Sequence, residues 1–345
     1  MIFRDYKNDT LTLLFIFIGI SSVIAGQLLF IFYLDITTPL SPQGNQTIIE
    51  IKRGTNSKNI SSLLKQKGLI KYSWTFNILS IIKDTGKKLK AGEYLLGPGM
   101  SPDQILNKIV KGQVIQHPIT IPEGFNLNEI GDLLEKHHVT KKKSFIAAAI
   151  DSKVIKSFGL STHSLEGYLF PETYYFEKDI TDYDILKKFT DTFKEKIMTP
   201  KFMSKVENSN LSFHEIITLA SLIEKETAKE EERDLISAVF HNRLKKNMLL
   251  QCDPTVIYAL KNFDGNIRKK DLKIDSPYNT YRYRGLPPGP ISNPGLSSIE
   301  TALRPAKANF LYFVSKKNGE HKFSTTLKEH NMAVREYQLR RKYRK

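Results

Sequence analysis

Two glutamates near the middle of the chain, Glu224 and Glu226, end a segment with helical periodicity. Ser212 and Glu215 have the Ser-x-x-Glu spacing of a capping box, which predicts that the helix begins at Ser212. At about 100° per residue, Glu224 falls on the apolar arc that faces inward, whereas Glu226 lies roughly 160° away and is expected to face solvent. The pattern therefore predicts one buried carboxylate, that of Glu224.

The predicted burial of Glu224 has two interpretations. A buried glutamate is commonly satisfied by an arginine or by backbone donors, and its role is then structural. Alternatively, desolvation raises the pKa of such a carboxyl, so that it stays protonated near neutral pH and acts as a general acid. Periodicity alone does not choose between these interpretations.

Polar and aromatic residues of the kind that line sugar sites surround this helix in the sequence. Amides and carboxylates bind hydroxyl groups, and flat rings cover sugar faces. The predicted substrate-binding residues are Glu166, Tyr168, Gln251, Asp253, Tyr278, Asn279, Thr280, Tyr281, Asn293, His321, Glu329, His330 and Asn331. Each has a structural alternative, because asparagines shape turns, a histidine can cap a helix and tyrosines can belong to a core. The carboxylates among them are assigned to binding and orientation.

The N-terminal region contains a stretch that can cross a membrane. Residues 11–34 carry no charge, and as a helix they span roughly 36 Å, more than a hydrocarbon core of about 30 Å. The stretch is longer than the apolar region of a typical signal peptide, which favours a retained anchor over cleavage. Arg4 and Lys7 precede it and the next basic residue is Lys52. The positive-inside rule then predicts a cytoplasmic N-terminus and an extracytoplasmic remainder.

The charge and cysteine content narrow the possible partners. The net charge of +16 favours polyanions, and the predicted topology puts this charge outside the cytoplasm, which opposes nucleic acid as a partner. Anionic lipid and the carboxylates of a cell-wall polymer fit instead. The one cysteine, Cys252, excludes an intrachain disulfide. No metal-ligand spacing is recognisable, so no metal or cofactor is expected.

The predicted helices and strands in the rest of the chain indicate an α+β protein with two folded parts. A weak repeat, offset by 70 residues, relates Ile51–Asn56 to Ile121–Asn126. Each copy predicts a short strand, a glycine turn and an amphipathic helix. A strand–helix–helix–strand unit is typical of LysM modules and also of generic α+β structure. The predicted organisation is a cytoplasmic N-terminus (1–10), a transmembrane helix (11–34), a linker (35–46), a small LysM-like unit (47–120) and a larger α+β catalytic domain (121–345).

Several long motifs then resemble one family. They include Leu219-Ala-Ser-Leu-Ile-Glu-Lys-Glu-Thr227, Gln251-Cys-Asp-Pro-Thr255 and Ser276-Pro-Tyr-Asn-Thr-Tyr281, and they continue to Glu329-His-Asn331. In this order they resemble the YceG-like family, the endolytic murein transglycosylases also called MltG. Asn247, in place of a usual glycine, and Cys252, at a variable position, are small departures.

The resemblance implies a bacterial inner-membrane protein whose catalytic part lies in the periplasm. Such an enzyme cuts nascent peptidoglycan strands internally between N-acetylmuramic acid and N-acetylglucosamine, and it leaves a 1,6-anhydromuramyl end. The resemblance also implies an association with wall-synthesis synthases, a role in strand length, and a catalytic glutamate at the position of Glu224. No cofactor is implied.

A single carboxylate suffices for this chemistry, since it first acts as the acid and then as the base. A muramidase, a hydrolase of the same strands, would ordinarily need two acids beside the bond. The other open alternative is a peptidoglycan-binding scaffold without catalytic activity, in which Glu224 is structural.

Overall fold

The computed structural model describes residues 6–227 and 229–339, with side chains from Leu11 onward. The first residues, which carry part of the topology prediction, and the basic tail Arg340–Lys345 lie outside the described residues. The chain divides into two compact units. The first comprises residues 1–117 and 177–179, and the second comprises residues 118–176 and 180–345.

The first unit begins with one long apolar helix, α1 (Tyr6–Thr37). Its stretch Leu11–Thr37 is long and apolar enough to cross a membrane, and its side chains are mostly exposed. The prediction of a single N-terminal apolar helix is confirmed for the described residues.

Two strands and two helices in strand–helix–helix–strand order follow α1. The elements are β1 (Thr47–Ile51), α2 (Ser57–Gln66), α3 (Ser73–Ile82) and β2 (Gly92–Leu96), followed by α4 (Pro102–Lys111). β1 and β2 pair antiparallel, with Thr47 opposite Leu96 and Ile51 opposite Gly92. The predicted element order is confirmed, and the apolar faces of these elements form one core.

The second copy of the repeat opens the second unit. Its elements are β3 (His117–Thr120), α5 (Leu127–Lys136), α6 (Lys142–Ala149), α7 (Ser152–Ser157) and β4 (Thr173–Phe176), with β3 paired to β4. Gly54 and Gly124 both have left-handed φ angles, of 79° and 76°, which glycine adopts without strain. Asn56 and Asn126 then cap the following helices. The repeat in the sequence is therefore a repeat of turn and cap geometry.

The rest of the second unit is mainly helical. It contains α8 (Asp182–Ile197), α9 (Pro200–Glu207), α10 (Phe213–Glu226), α11 (Glu230–Lys245), α12 (Asp253–Ala259), a 3₁₀ turn (Asp271–Lys273), α13 (Leu296–Leu303), β5 (Tyr312–Ser315), β6 (His321–Ser324), α14 (Leu327–Val334) and a π-helical turn (Arg335–Leu339). The sequence predicts a helix from Tyr183 to about Lys196 and, from the Asn318-Gly319 turn signal, a β-hairpin. Both are present, as α8 and as the β5–β6 pair. The fold class is α+β, as expected.

Helix α10 runs through the core of the second unit. Every residue from Ile216 to Ile223 is buried, so the helix is enclosed on all sides rather than along one stripe. The predicted capping box of Ser212 and Glu215 is present at its start. The helix ends at Glu226, where Thr227 becomes extended. Both glutamates therefore lie in the last turn of a helix whose central part is fully buried.

Candidate active site

Glu224 lies among hydrogen-bond donors. Its side chain is 7% exposed, and Oε1 lies 3.5 Å from Arg233 Nη2. Oε2 accepts the backbone N–H of Gly295 at 3.0 Å. The predicted inward position of Glu224 is thus confirmed. Its contacts are those of the first interpretation, a buried carboxylate satisfied by an arginine and a backbone donor.

A second carboxylate, Glu123, shares the arginine with Glu224. Glu123 Oε2 lies 3.7 Å from Arg233 Nη2, and its side chain is half exposed. Burial and the nearby Glu224 raise the pKa of Glu123. A Cβ on Gly295 would lie 1.9 Å from Glu123 Oε1, so only glycine allows this approach. Glu123 is not among the residues predicted from the sequence, although it lies in the glycine turn of the second repeat copy.

Glu226 occupies different surroundings. The expectation that it faces solvent is wrong: it is half-buried and lines a polar cavity. Burial raises the pKa of Glu226 to about 7, and the negative charge of Asp253 adds to the rise, while a hydrogen bond with Cys252 and the charge of Arg243 oppose it. A carboxyl with this pKa is partly protonated at neutral pH, as a general acid requires.

The cavity beside Glu226 has the size and polarity of a ligand site. Its volume of about 370 Å³ lies in the usual range for bound small molecules. Five of the thirteen predicted binding residues line it together with Glu226: Gln251, Asp253, Tyr281, His321 and His330. These five residues therefore lie together around Glu226, and the other eight predicted residues lie elsewhere.

Arg243, on α11, holds one wall of this cavity. It is 7% exposed and donates from Nη1 to Leu250 O at 2.8 Å and from Nε to Leu311 O at 2.6 Å. Its guanidinium also lies over the Tyr312 ring, 5.2 Å from the centroid. Burial lowers the pKa of Arg243. The Arg243 side chain thus links the segment that precedes α12 to the segment that precedes β5.

Gln251 has a left-handed φ of 51°, which costs energy for a residue other than glycine or asparagine. Its N–H donates to Thr280 O at 3.1 Å, and its side-chain Oε1 lies 3.4 Å from Arg243 Nη1. Local sequence would not select this conformation, so the surrounding contacts hold Gln251 at the cavity. Asn247 has the same φ of 51°, a left-handed conformation that glycine and asparagine adopt more readily than other residues.

The acidic and histidine residues of the cavity wall are themselves held in place. Tyr281 donates its hydroxyl to Asp253 Oδ1 at 2.5 Å. His321 Nδ1 lies 2.7 Å from Glu232 Oε2, so the carboxylate fixes the ring and leaves Nε2 available. His330 stacks on Tyr312, and its Nδ1 is buried without a hydrogen-bond partner among the described residues. Burial, then the charge of Arg243, lowers the pKa of His330.

Another group of predicted binding residues is buried beneath the surface. Glu166 is 3% exposed and accepts from Leu127 N, Tyr258 Oη and Asn293 Nδ2 at 3.1–3.2 Å. Burial raises the pKa of Glu166 to about 8. Tyr168 is also buried, and its hydroxyl lies 2.7 Å from His214 Nδ1. In this structure these side chains support the fold and do not reach the cavity.

The two asparagines and Thr280 act in the same way. Asn279 is fully buried and donates to the carbonyls of Leu272 and Ile274, so it shapes its own loop. Asn293 accepts from Leu169 N at 2.9 Å. Thr280 Oγ1 accepts from Cys252 N at 3.0 Å, which supports the floor under the cavity. The turn-shaping alternative therefore describes these asparagines.

Three further predicted residues lie outside the cavity lining. Tyr278 is half-buried against the ring of Tyr258. Glu329 is exposed and completes a capping box with Thr326 at the start of α14. Hydrogen bonds from Thr325, and then from Thr326, lower the pKa of Glu329. Asn331 is exposed on α14. Helix capping rather than substrate binding accounts for the contacts of Glu329.

Comparison with known proteins agrees with this architecture. A model of the YceG-like family matches residues 49–336. The chain is 38% identical over 325 residues to an endolytic murein transglycosylase of Bacillus subtilis, and the match covers 89% of each protein. It is 31% identical over 340 residues to an endolytic murein transglycosylase of Streptococcus pneumoniae D39, covering 89% of this chain and 61% of that one.

A crystal structure of a YceG-like protein from Listeria monocytogenes also matches, with a TM-score of 0.59 and 37% identity. The match covers 84% of this chain and 98% of the Listeria chain. Because the family model matches most of the chain and the Bacillus relative is 38% identical over 89% of each protein, the chain belongs to the YceG-like family.

Proposed function

We propose that this chain is an endolytic murein transglycosylase in which Glu226 is the catalytic acid and base. Relatives of that name and activity match it over most of its length. The single observation that carries the assignment of Glu226 is its place in the polar cavity, where burial raises its pKa to about 7. The sequence prediction gave this role to Glu224, whose contacts fit a structural carboxylate better.

The reaction proceeds in two steps that use the same carboxyl. Protonated Glu226 donates its proton to the glycosidic oxygen, and the bond between that oxygen and C1 of the muramic acid breaks. The N-acetyl carbonyl of the substrate stabilises the positive charge at C1. The ionised Glu226 then takes the proton of the muramic 6-hydroxyl, whose oxygen bonds to C1 and closes the 1,6-anhydro ring. Glu226 ends protonated, and no water is consumed.

The cavity supplies what this cycle requires. Partial burial keeps Glu226 protonated before the first step and keeps competing water away from C1. Gln251, Asp253 and His321 offer donors and acceptors for sugar hydroxyls and acetamido groups. Glu224, with Arg233 and Gly295, fixes the loop that precedes α13 and so acts as a positioning group.

Anchoring and orientation form the second part of the proposal. Helix α1 would hold the enzyme in the bacterial inner membrane, with the N-terminus in the cytoplasm and the cavity on the periplasmic side, where nascent strands lie. The length and apolar composition of α1 support the anchor. The proposed extracytoplasmic substrate supports the orientation. We also propose that the LysM-like unit contacts glycan and that wall-synthesis synthases are partners. Both of these proposals rest on the family resemblance.

Product analysis tests the reaction class. The full-length protein in detergent is incubated with uncrosslinked glycan strands, and the products are read by mass spectrometry. We expect fragments ending in anhydromuramic acid, one water lighter than hydrolysed fragments. Reducing muramic ends would establish a muramidase instead. Binding without any cleavage, in the presence of a wall-synthesis synthase as well, would favour the scaffold alternative.

A further inference from the structure

Helix α3 of the first unit exposes an apolar stripe that its own core does not cover. Thr75, Phe76, Leu79 and Ser80 face the core. The other side exposes Trp74, Ile78, Ile81 and Ile82 at 45%, 40%, 76% and 67%. At 100° per residue these four side chains fall within an arc of about 100°. A helix that is apolar on both sides has a second apolar neighbour.

The start of α3 is fixed to the outer end of the apolar span of α1. The Trp74 ring stacks on Phe32, with centroids 6.2 Å apart, and Phe32 lies two residues before the end of the uncharged stretch. Thr75 Oγ1 donates to Asp35 Oδ2 at 2.5 Å, and Asp35 is the first charged residue after that stretch. If α1 spans the membrane as proposed above, Trp74 lies at the depth where lipid headgroups begin.

The residues around the stripe suit a lipid surface. Lys71 lies over the Tyr72 ring, 5.0 Å from its centroid, and the segment 83–90 holds four lysines and one aspartate. Two of these lysines pair with Asp103 and Asp84, and the segment stays positively charged. Tryptophan and tyrosine with nearby lysines are typical of the membrane interface, where the rings enter the headgroup layer and the ammonium groups contact phosphate.

We propose that α3 lies on the outer surface of the bilayer, with Trp74, Ile78, Ile81 and Ile82 in the headgroup layer and the adjacent lysines on anionic phospholipid. The inference depends on the proposed membrane anchor and adds a second, monotopic contact to it. This contact would restrict rotation of the first unit about α1 and hold it at a fixed height above the membrane.

Fluorescence of the single tryptophan tests the contact directly, because Trp74 is the only tryptophan in the chain. The full-length protein is placed in nanodiscs containing lipids brominated either near the headgroup end or near the terminus of the acyl chain. We expect stronger quenching by bromine near the headgroup end. Emission unaffected by either lipid would overturn the proposal. Failure of the protein to co-migrate with nanodiscs would instead refute the anchor.

A probe further along α3 separates docking of the helix from the mere proximity of Trp74 to α1. Ile82→Cys and the control Lys65→Cys, on the exposed side of α2, are labelled with an environment-sensitive dye; the native Cys252 is buried. In nanodiscs with anionic lipid, the dye at 82 should shift to the blue and be quenched by brominated lipid, and the dye at 65 should not. Equal, water-like emission at both positions, or a response at 82 to glycan strands alone, would contradict docking on lipid.

Discussion

The two glutamates at the end of α10 are two residues apart in the chain but lie in opposite chemical surroundings. Glu224 meets a guanidinium and a backbone N–H, and so it is held as an ion-paired acceptor. Glu226 meets a thiol, a polar cavity and a nearby carboxylate, and its pKa rises to about 7. Burial alone therefore does not identify the catalytic acid. Glu224 is occupied by contacts within the fold, whereas Glu226 faces a cavity that a substrate can enter.

Removing the arginine near each glutamate should affect activity strongly beside Glu226 and only weakly beside Glu224. Arg243→Met deletes the donors to Leu250 and Leu311 that shape the cavity, so we expect a loss in kcat/KM of about 10²-fold or more and a stability loss of about 3 kcal/mol. Arg233→Met, the matched control, should destabilise the fold yet keep activity per folded molecule within about tenfold. Both are measured by product release and by denaturant unfolding. Equal loss of activity in the two variants would contradict a catalytic role for the Glu226 side and a structural role for the Glu224 side.

The pH dependence of the reaction should follow Glu226. Its carboxyl must be protonated for the first step and has a pKa of about 7. We therefore expect kcat/KM to fall above that pH by about tenfold for each further unit. The Glu224→Gln variant should keep this profile, because its substitution lies outside the cavity. An alkaline limb that disappears in Glu224→Gln would return the acid role to Glu224.

The raised pKa of Glu226, which favours catalysis, should make the fold less stable as the pH rises. Because the folded-state pKa of Glu226 is raised above 4.5, the folded state binds more protons than the unfolded state between about pH 4.5 and 7, and stability declines as pH rises through that window. Glu226→Gln removes this decline. Relative to wild type, the variant should gain about 2.5 kcal/mol between pH 5 and pH 8. Parallel stability curves for the two proteins would contradict a raised pKa.

The buried Glu166 should give the smallest effect on activity. Glu166→Gln keeps one acceptor oxygen for the donors of Leu127, Tyr258 and Asn293, so we expect a stability loss of about 1–2 kcal/mol. Activity at 25 °C should stay within about fivefold, since Glu166 does not line the cavity. A loss in kcat as large as that expected for a catalytic acid, without a stability change, would show that Glu166 takes part in the reaction.

Local signals in the sequence predicted much of the fold. The capping box at Ser212, the helix near 183–196 and the Asn318-Gly319 hairpin depend on residues close in the chain, and all three are present. The strand–helix–helix–strand order of the first unit was predictable for the same reason. Each of these features is decided by hydrogen bonds or apolar contacts within a few residues.

The surroundings of Glu226 could not be predicted in this way. Helical periodicity placed Glu226 opposite the apolar face of α10, which predicted exposure to solvent. His321 and His330, roughly a hundred residues later in the chain, cover that side of the helix. The predicted residues Asn279 and Asn293 had the right types for sugar binding and are used for turns and loop contacts. Residue type identified the candidates, and only tertiary contacts separated those that line the cavity from those that support it.

The most direct test compares Glu224→Gln with Glu226→Gln in the full-length protein on uncrosslinked glycan strands, with anhydromuramyl products counted by mass spectrometry and folding checked by thermal unfolding. Our account predicts that Glu226→Gln folds and loses activity by about 10⁴-fold or more, while Glu224→Gln is less stable but still produces anhydro ends. Full activity in Glu226→Gln, or loss of anhydro products only in a well-folded Glu224→Gln, would contradict it.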